Sequence, residues 1–349
     1  MAVVTVLGAG MMGSALCVPL LDAGHEVRLV GTHLDGDIIA SLKDTGLHPK
    51  LRLELPRGIR PFLVTELAEA MRDVKLIGVG VSSPGVRWAA EKLGPFARAD
   101  VPIVMITKGL EWGATGLRVL PDVLRDGLPE AVREVIAPAA VAGPCIAGEL
   151  ARRVETCVVA AGRDQATLER VAGMMRAPYY HVFTSLDLEG VETCAALKNA
   201  YAMGIAFALG LHEQRGGGAG SVAMHNYEAA VFAQSVLEMQ RVVELAGGDT
   251  KSALGLPGVG DLDVTTNGGR TGRFGKLLGS GLSVSEAVER MEGATLECLD
   301  ILRVMRVALA ALQARGSLGP DELPLLRHLA EVALDGASVV MPFDRFFQG

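Results

Sequence analysis

The chain opens on a β-rich apolar run, Ala2–Leu7, which ends at Gly8 and gives way to an apolar stripe at Leu16, Leu20 and Leu21. That is the pattern of a buried strand, a tight turn and a helix packed on the strand. Comparable runs recur at Glu26–Val30, Val74–Val81, Val101–Thr107, Val135–Ala142, Thr156–Ala161 and Tyr179–Thr184, with helical spacing over Arg87–Leu93, Gly116–Arg125 and Gln165–Met175 between them. Strands alternating with helices predict a largely parallel sheet covered on both faces.

The pattern changes near Asp187. Beyond it the β-rich runs cease, and long helical segments follow at Leu188–Leu211, Ser221–Leu245, Leu296–Gln313 and Pro320–Leu334. Two domains are therefore expected, an α/β domain over 1–187 and an all-helical one over 188–349. A glycine-rich patch, Gly216–Gly220, separates the first two helices and reads as a mobile loop. The most apolar stretch, Ala200–Leu211, is shorter than the roughly 20 residues a membrane span needs. Gly8–Gly13 interrupts the first apolar run with no basic segment before it, so that run is not expected to be a signal peptide.

Composition narrows the function classes. Thirty-three Lys and Arg against 40 Asp and Glu give a net charge of −7. Nucleic acids and anionic membranes need a concentrated positive field, so neither is an expected partner, whereas a small anionic substrate needs only a few local cations. The five cysteines, Cys17, Cys145, Cys157, Cys194 and Cys298, are scattered and form neither a disulfide framework nor a metal-ligand spacing. A reducing cytoplasm is the expected compartment. Forty-three glycines exceed the roughly 7% usual in globular chains without a collagen period, so glycine is expected at turns and ligand loops.

Gly8-Ala9-Gly10-Met11-Met12-Gly13 matches G-x-G-x-x-G between a predicted strand and a predicted helix. Three glycines there allow the tight turn, the approach of a pyrophosphate to the backbone and close helix packing, with the helix N-terminus favouring the anion. The first domain is thus expected to be Rossmann-like, doubly wound and dinucleotide-binding. The second strand runs on into Gly31-Thr32-His33-Leu34-Asp35, with no acid at its very end and no Arg. Thr32 and His33 are candidate donors to a 2′-phosphate, while Asp35 is a candidate for the ribose, so both NAD and NADP stay open.

Lys198 is the single charged residue in the 17-residue stretch Cys194–Gly210. A helix apolar all round is normally buried, and desolvation makes a buried lysine a usable acid or base near neutral pH. A second unusual stretch, Gly258–Gly275, gathers Asp261, Thr265, Arg270 and Arg273 among small residues, a composition suited to a phosphate or carboxylate. Two loops follow predicted strands: Thr107-Lys108-Gly109, which places Lys108 where an open α/β sheet binds ligands, and Gly143–Glu149.

Taken in order, these pieces resemble the NAD(P)-dependent glycerol-3-phosphate dehydrogenase family over nearly the whole chain. The resemblance rests on Gly8, Gly10 and Gly13, Thr107-Lys108-Gly109, Gly143-Pro144 with Glu149, Leu197-Lys198-Asn199, Gly258–Leu262 with Thr265, Gly269-Arg270, and Glu297. It implies a second domain like the C-terminal domain of 6-phosphogluconate dehydrogenase and reversible hydride transfer between glycerol 3-phosphate and dihydroxyacetone phosphate, a step of glycerophospholipid metabolism. Lys198 would be the acid/base, held and polarised by Asp261, with Lys108 also near the substrate. Asn199 and Thr265 would hydrogen-bond the substrate, Arg270 would grip its phosphate, and Gly143 and Thr271 would line its site. The cofactor would meet Gly8, Gly10, Met11, Met12, Gly13, Thr32, His33, Ser82 and Glu297. The scheme requires no metal, and a homodimer is expected because two-fold dimers are the commonest assembly.

Three departures stand out. Thr271 occupies a position where the family usually has Asn, Gln234 one where Arg is common, and Gly78–Pro84 replaces a tighter Val-Pro-Ser loop. The first two would bear on the anion pocket, and a Thr cannot reproduce an amide's paired donor and acceptor. Two other readings stay open: a dehydrogenase of the same build acting on a related polyol phosphate, sulfonate or hydroxy acid, as in ketopantoate reductase, and a silent nucleotide sensor. Asn199 directly beside Lys198, with Ala at 202, favours the glycerol-phosphate type over ketopantoate reductase. A sensor would have no need of Lys198, Asp261 and Arg270 together.

Overall fold

The computed structural model describes residues 1–218, 223–267 and 269–348. The end of the Gly216–Gly220 patch, the Ser221 start of the second expected helix, Gly268 and Gly349 lie outside the described residues. The strands are β1 (Val3–Leu7), β2 (Glu26–Val30), β3 (Leu47–His48), β4 (Leu53–Glu54), β5 (Ile59–Phe62), β6 (Val74–Val79), β7 (Ile103–Met105), β8 (Leu110–Trp112), β9 (Leu117–Val119), β10 (Ala139–Ala142), β11 (Thr156–Ala161) and β12 (Tyr180–Ser185). The chain divides into two units, Met1–Lys108 with Val119–Leu188, and Gly109–Arg118 with Glu189–Gly349.

The first unit is the doubly wound one. Eight strands pair in the order β12-β11-β10-β7-β6-β1-β2-β5, and only the β10–β11 neighbours are antiparallel. Val4, Val6, Val27, Leu29, Leu76 and Ile77 are wholly buried, as strands covered on both faces require. Helices α1 (Met11–Asp22), α2 (Gly36–Asp44), α3 (Val86–Leu93) and α4 (Gln165–Met175) belong to this unit. The order of strands reverses at β1, so the carboxyl ends of β1 and β6 open the crevice where such sheets hold ligands.

Local differences from the expected elements have physical causes. Gly116–Arg125, expected as one helix, is strand β9 followed by a helix over Leu120–Asp126. Pro121 fits only the first turn of a helix and is its second residue here, so the helix cannot begin a turn or more upstream. The strand expected over Val135–Ala142 shortens to β10, because Pro138 lacks the N–H a ladder needs. Strand β5 escaped the apolar-run criterion, and its Pro61 is tolerated because β5 is the edge of the sheet.

The second unit is helical: α5 (Leu188–Gln214), α6 (His225–Leu245), α7 (Asp261–Thr266), α8 (Gly269–Gly279), α9 (Glu297–Ala314) and α10 (Pro324–Ala330). The expected boundary at 187 and 188 omits one piece of it. Hairpin β8–β9, closed by Gly113 N–H donating to Gly116 O at 2.8 Å, belongs to this unit. There the Arg315 guanidinium stacks over the Trp112 ring at 5.4 Å and reaches the carbonyls of Ala114 and Thr115.

Helix α5 is longer than its sequence stretch indicated. Its 27 residues are long and apolar enough to cross a membrane, yet 89% of its most apolar window is buried within the fold, which makes it a core helix. Helices α5 and α8 meet backbone to backbone. A Cβ added to Gly275 would lie 2.3 Å from Met203 O, and one added to Gly279 2.3 Å from Phe207 O. Gly275→Ala should therefore force the two helices apart and lower the unfolding free energy by at least about 2 kcal/mol, read by urea denaturation. Unchanged stability would show that α8 has slack there.

Candidate functional site

In the first unit the glycine loop divides its labour. A Cβ on Gly13 would lie 2.0 Å from Gly8 O, and one on Gly8, whose φ is +112°, would lie 2.7 Å from the Gly80 carbonyl carbon. Those two glycines let α1 and the β6 loop close on the end of β1. Gly10 differs, because nothing lies within 4 Å of where its Cβ would project. That open side faces the start of α1, which has no side-chain cap and no acid in its first turn. That start suits a pyrophosphate: the N–H groups around Met11, Met12 and Gly13 would meet the anion, and the helix dipole would favour it.

The neighbouring loops pack around this point. Ser82 is exposed just beyond β6, and Ser83 Oγ donates to Lys108 O at 2.8 Å. Thr107 Oγ1 donates to Val81 O at 2.7 Å, so the loops after β6 and β7 are tied together and Lys108 leaves from a fixed backbone. Gly143 adopts φ +133° after β10, with the backbone of β11 too close for a side chain. Thr32 and Asp35, candidates for the adenosine end, bond to each other. Asp35 Oδ2 accepts from Thr32 N at 2.8 Å, Thr32 Oγ1 at 2.8 Å and Ala9 N at 3.2 Å. His33 is exposed, its ring edge-on to Trp88 at 5.5 Å.

In the second unit the structure brings Lys198, Asp261 and Thr265 together. Lys198, only 8% exposed on α5, donates to the carboxylate of the wholly buried Asp261 and to Thr265 Oγ1 at 3.0 Å. Thr265 Oγ1 in turn donates to Asp261 O at 2.6 Å, which aims its hydroxyl lone pairs at the ammonium. A π-helical turn, Leu256–Gly260, delivers Asp261 to the first turn of α7. Asn199 follows Lys198 at a half-buried position. The set can carry a proton to or from an oxygen beside Lys198 while Asp261 balances the charge.

Arg270 lies in the first turn of α8 and donates to Glu297 at the start of α9. Glu297, expected at the cofactor, is thus the ion-pair partner of Arg270, and both side chains are about one third exposed. Thr271 is buried next to it.

Gln234 does not line an anion pocket. It is buried on α6, where its Nε2 donates to Glu238 Oε1 at 2.9 Å and its Oε1 accepts from Phe347 N at 3.0 Å. Glu238 also accepts from the Leu325 and Leu326 N–H groups at 2.7 and 2.8 Å and from Tyr201 Oη at 3.4 Å, so this carboxylate caps α10 inside the core. The Gln234 departure is absorbed by that cap and the C-terminal segment. Sequence reasoning missed Glu238 because its partners lie far along the chain and leave no periodic trace.

Comparison with known proteins covers both units. The model of the NAD-dependent glycerol-3-phosphate dehydrogenase N-terminus matches residues 3–168, and that of the same family's C-terminus matches 187–342. An NADP(+)-dependent glycerol-3-phosphate dehydrogenase of Archaeoglobus fulgidus is 36% identical, over 83% of this chain and 84% of that protein. A glycerol-3-phosphate dehydrogenase [NAD(P)+] of Shouchella clausii is 30% identical, over 95% of this chain and 92% of its own. The crystal structure of glycerol-3-phosphate dehydrogenase from Coxiella burnetii superposes with a TM-score of 0.80 at 25% identity, covering 96% of this chain and 95% of that one. A ketopantoate reductase from Ralstonia eutropha JMP134 reaches only 0.56 at 18% identity, over 95% and 96% of the two chains, a likeness of fold.

The buried cap makes stability depend on pH. Burial pushes the Glu238 carboxyl up to about 7, against an ordinary value of 4.5. A raised carboxyl pKa favours the folded state below the unfolded value, and that contribution is lost as pH climbs through the folded one. Stability should therefore decline from this group between about pH 4.5 and about 7. Glu238→Gln should start lower, because one N–H of α10 loses its acceptor, but should lack that slope in denaturation series at pH 5 and pH 8. The same slope in both proteins would assign it to another group.

Proposed function

The chain belongs to the NAD-dependent glycerol-3-phosphate dehydrogenase family, NAD(P)-dependent oxidoreductases that interconvert sn-glycerol 3-phosphate and dihydroxyacetone phosphate, and on that premise we propose that Lys198 is the acid/base of this chain's reaction. The observation that carries the proposal is the buried Lys198 ammonium held between Asp261 and Thr265. The dinucleotide, when bound, supplies hydride acceptance and donation at C2 of the substrate. In the reducing direction Lys198 gives a proton to the C2 oxygen, and in the oxidising direction it takes that proton back.

Asp261 keeps the charge of Lys198 compensated through this exchange, and Thr265 fixes the direction in which Nζ points. Burial of the pair excludes water that would otherwise compete for the proton. Arg270 grips the substrate phosphate, helped by its place at the positive end of α8, and Glu297 orients the guanidinium. Asn199 hydrogen-bonds the substrate from the position beside Lys198, and Lys108 adds a second cation. The glycine loop, Ser82 and the Thr32-His33 corner receive the dinucleotide. Support comes from the order and chemistry of the glycine loop, Lys108, Lys198, Asn199, Asp261, Thr265, Arg270 and Glu297, each at a family position.

Steady-state oxidation of NADH and NADPH with dihydroxyacetone phosphate, beside ketopantoate, tests the reading; turnover of ketopantoate alone would overturn it. Lys198→Met should cut kcat by about a thousandfold or more while leaving dinucleotide affinity unchanged. Strong residual turnover would remove Lys198 from the mechanism. Arg270→Ala should raise KM for dihydroxyacetone phosphate by about thirtyfold, the worth of a charge-assisted hydrogen bond. An unchanged KM would move the phosphate site to Lys108 or Arg273.

A further inference from the structure

Ala9, between Gly8 and Gly10, is wholly buried, and both its peptide groups are held by side chains from outside the loop. Its N–H donates to Asp35 Oδ2 at 3.2 Å. Its carbonyl lies 3.0 Å from Nε2 of His48, a wholly buried residue on β3, and also accepts from Ser14 Oγ at 3.2 Å. The histidine tautomer follows from its other nitrogen. Leu51 N–H donates to Nδ1 at 3.1 Å, so Nδ1 is an acceptor and the proton sits on Nε2, aimed at Ala9. Burial holds the His48 pKa below its ordinary value, in keeping with a neutral ring.

Asp35 is equally committed. Besides Ala9 N, the same Oδ2 accepts from the backbone and hydroxyl of Thr32, and the Thr32 hydroxyl also accepts from Leu34 N at 3.2 Å. Asp35 is 8% exposed. Three donors from the loop and its flank thus converge on one oxygen, Oδ2, of a nearly buried carboxylate.

We propose that His48 and Asp35 are positioning residues for the dinucleotide, clamping the Ala9 peptide groups from two sides so that the start of α1 keeps the shape a pyrophosphate needs, and that Asp35 does not discriminate between NAD(H) and NADP(H). The proposal rests on the reading of the Gly8–Gly13 loop as the dinucleotide site. It assigns His48 a role through Ala9 without contact to the cofactor. It also gives the Asp35 carboxylate an acceptor role toward the loop in place of one toward a ribose hydroxyl.

The test measures dissociation constants of NADH and NADPH by nicotinamide fluorescence on the full chain, with kcat at saturating dinucleotide as the second readout. His48→Gln keeps a donor toward Ala9 and gives up the acceptor for Leu51, whereas His48→Asn keeps the acceptor and gives up the donor. His48→Asn should raise both dissociation constants at least about fivefold with kcat unchanged, and His48→Gln should stay within about twofold of the wild type. Asp35→Asn should weaken NADH and NADPH in parallel. Equal behaviour of the two His48 variants would overturn the clamp, and so would a loss confined to NADH in Asp35→Asn, which would make Asp35 a ribose reader. Should His48→Asn fail to fold, the Asp35→Asn comparison decides. A wild-type chain that binds neither dinucleotide would overturn the loop reading and the clamp with it.

Discussion

Burying one ammonium governs the helical unit. Helix α5 is apolar around Lys198, and a charge removed from water costs several kcal/mol unless an opposite charge is buried with it. Asp261 supplies that charge and is itself compensated by the Lys198 ammonium, while Thr265 bonds both Lys198 Nζ and the Asp261 backbone carbonyl. Much of the local architecture serves this meeting. Gly258 is packed so closely on Ala253 that a Cβ would lie 2.0 Å from its carbonyl oxygen, which seats the π-helical turn and brings Asp261 to the right depth. The glycines of α8 let that helix lie against α5, so the segment carrying Arg270 is fixed to the same support as Lys198.

On the proposed reading the α/β unit solves a different problem, the reception of an anion by backbone dipoles. Its means are geometric: a loop of glycines, an uncapped helix start and a crevice at the reversal of strand order. Backbone amides bind well only when they are held still, and a glycine-rich loop has more freedom to lose than any other. The hydrogen bonds on Ala9 and the Thr107 and Ser83 bonds between neighbouring loops restrict that freedom with groups that carry no net positive charge. On the proposed reading, one unit places charge where a proton would move, and the other places dipoles where a phosphate would rest.

How much of this was legible in the sequence depends on the range of each interaction. Strands β1, β2, β6 and β11 were legible because doubly covered strands are largely apolar and β-branched, and Lys198 because it is the one charged residue in the apolar stretch Cys194–Gly210. The glycine loop was legible because its spacing is local. Hairpin β8–β9 was not: Leu117, Leu120 and Leu124 recur at helical spacing, and only Pro121 shows that the helix starts late. Pairings such as Arg270 with Glu297, Gln234 with Glu238 and Phe347, or His48 with Ala9 join distant elements. No periodicity encodes them, so Gln234 read as a change in an anion pocket when it is part of a helix cap.

The hairpin also changes what counts as a separable part of the gene. The helical unit is written in two places, residues 109–118 and 189 onward, so cutting the chain at the apparent boundary would yield a fragment lacking two strands and the ring under Arg315. During synthesis the hairpin emerges 200 residues ahead of the arginine that will embrace it. The α/β unit has no such debt to the later chain, since all of its strands precede Leu188. Folding on the ribosome is thereby given an order: the sheet can close first, with a short ribbon looped out of it waiting for helices not yet made.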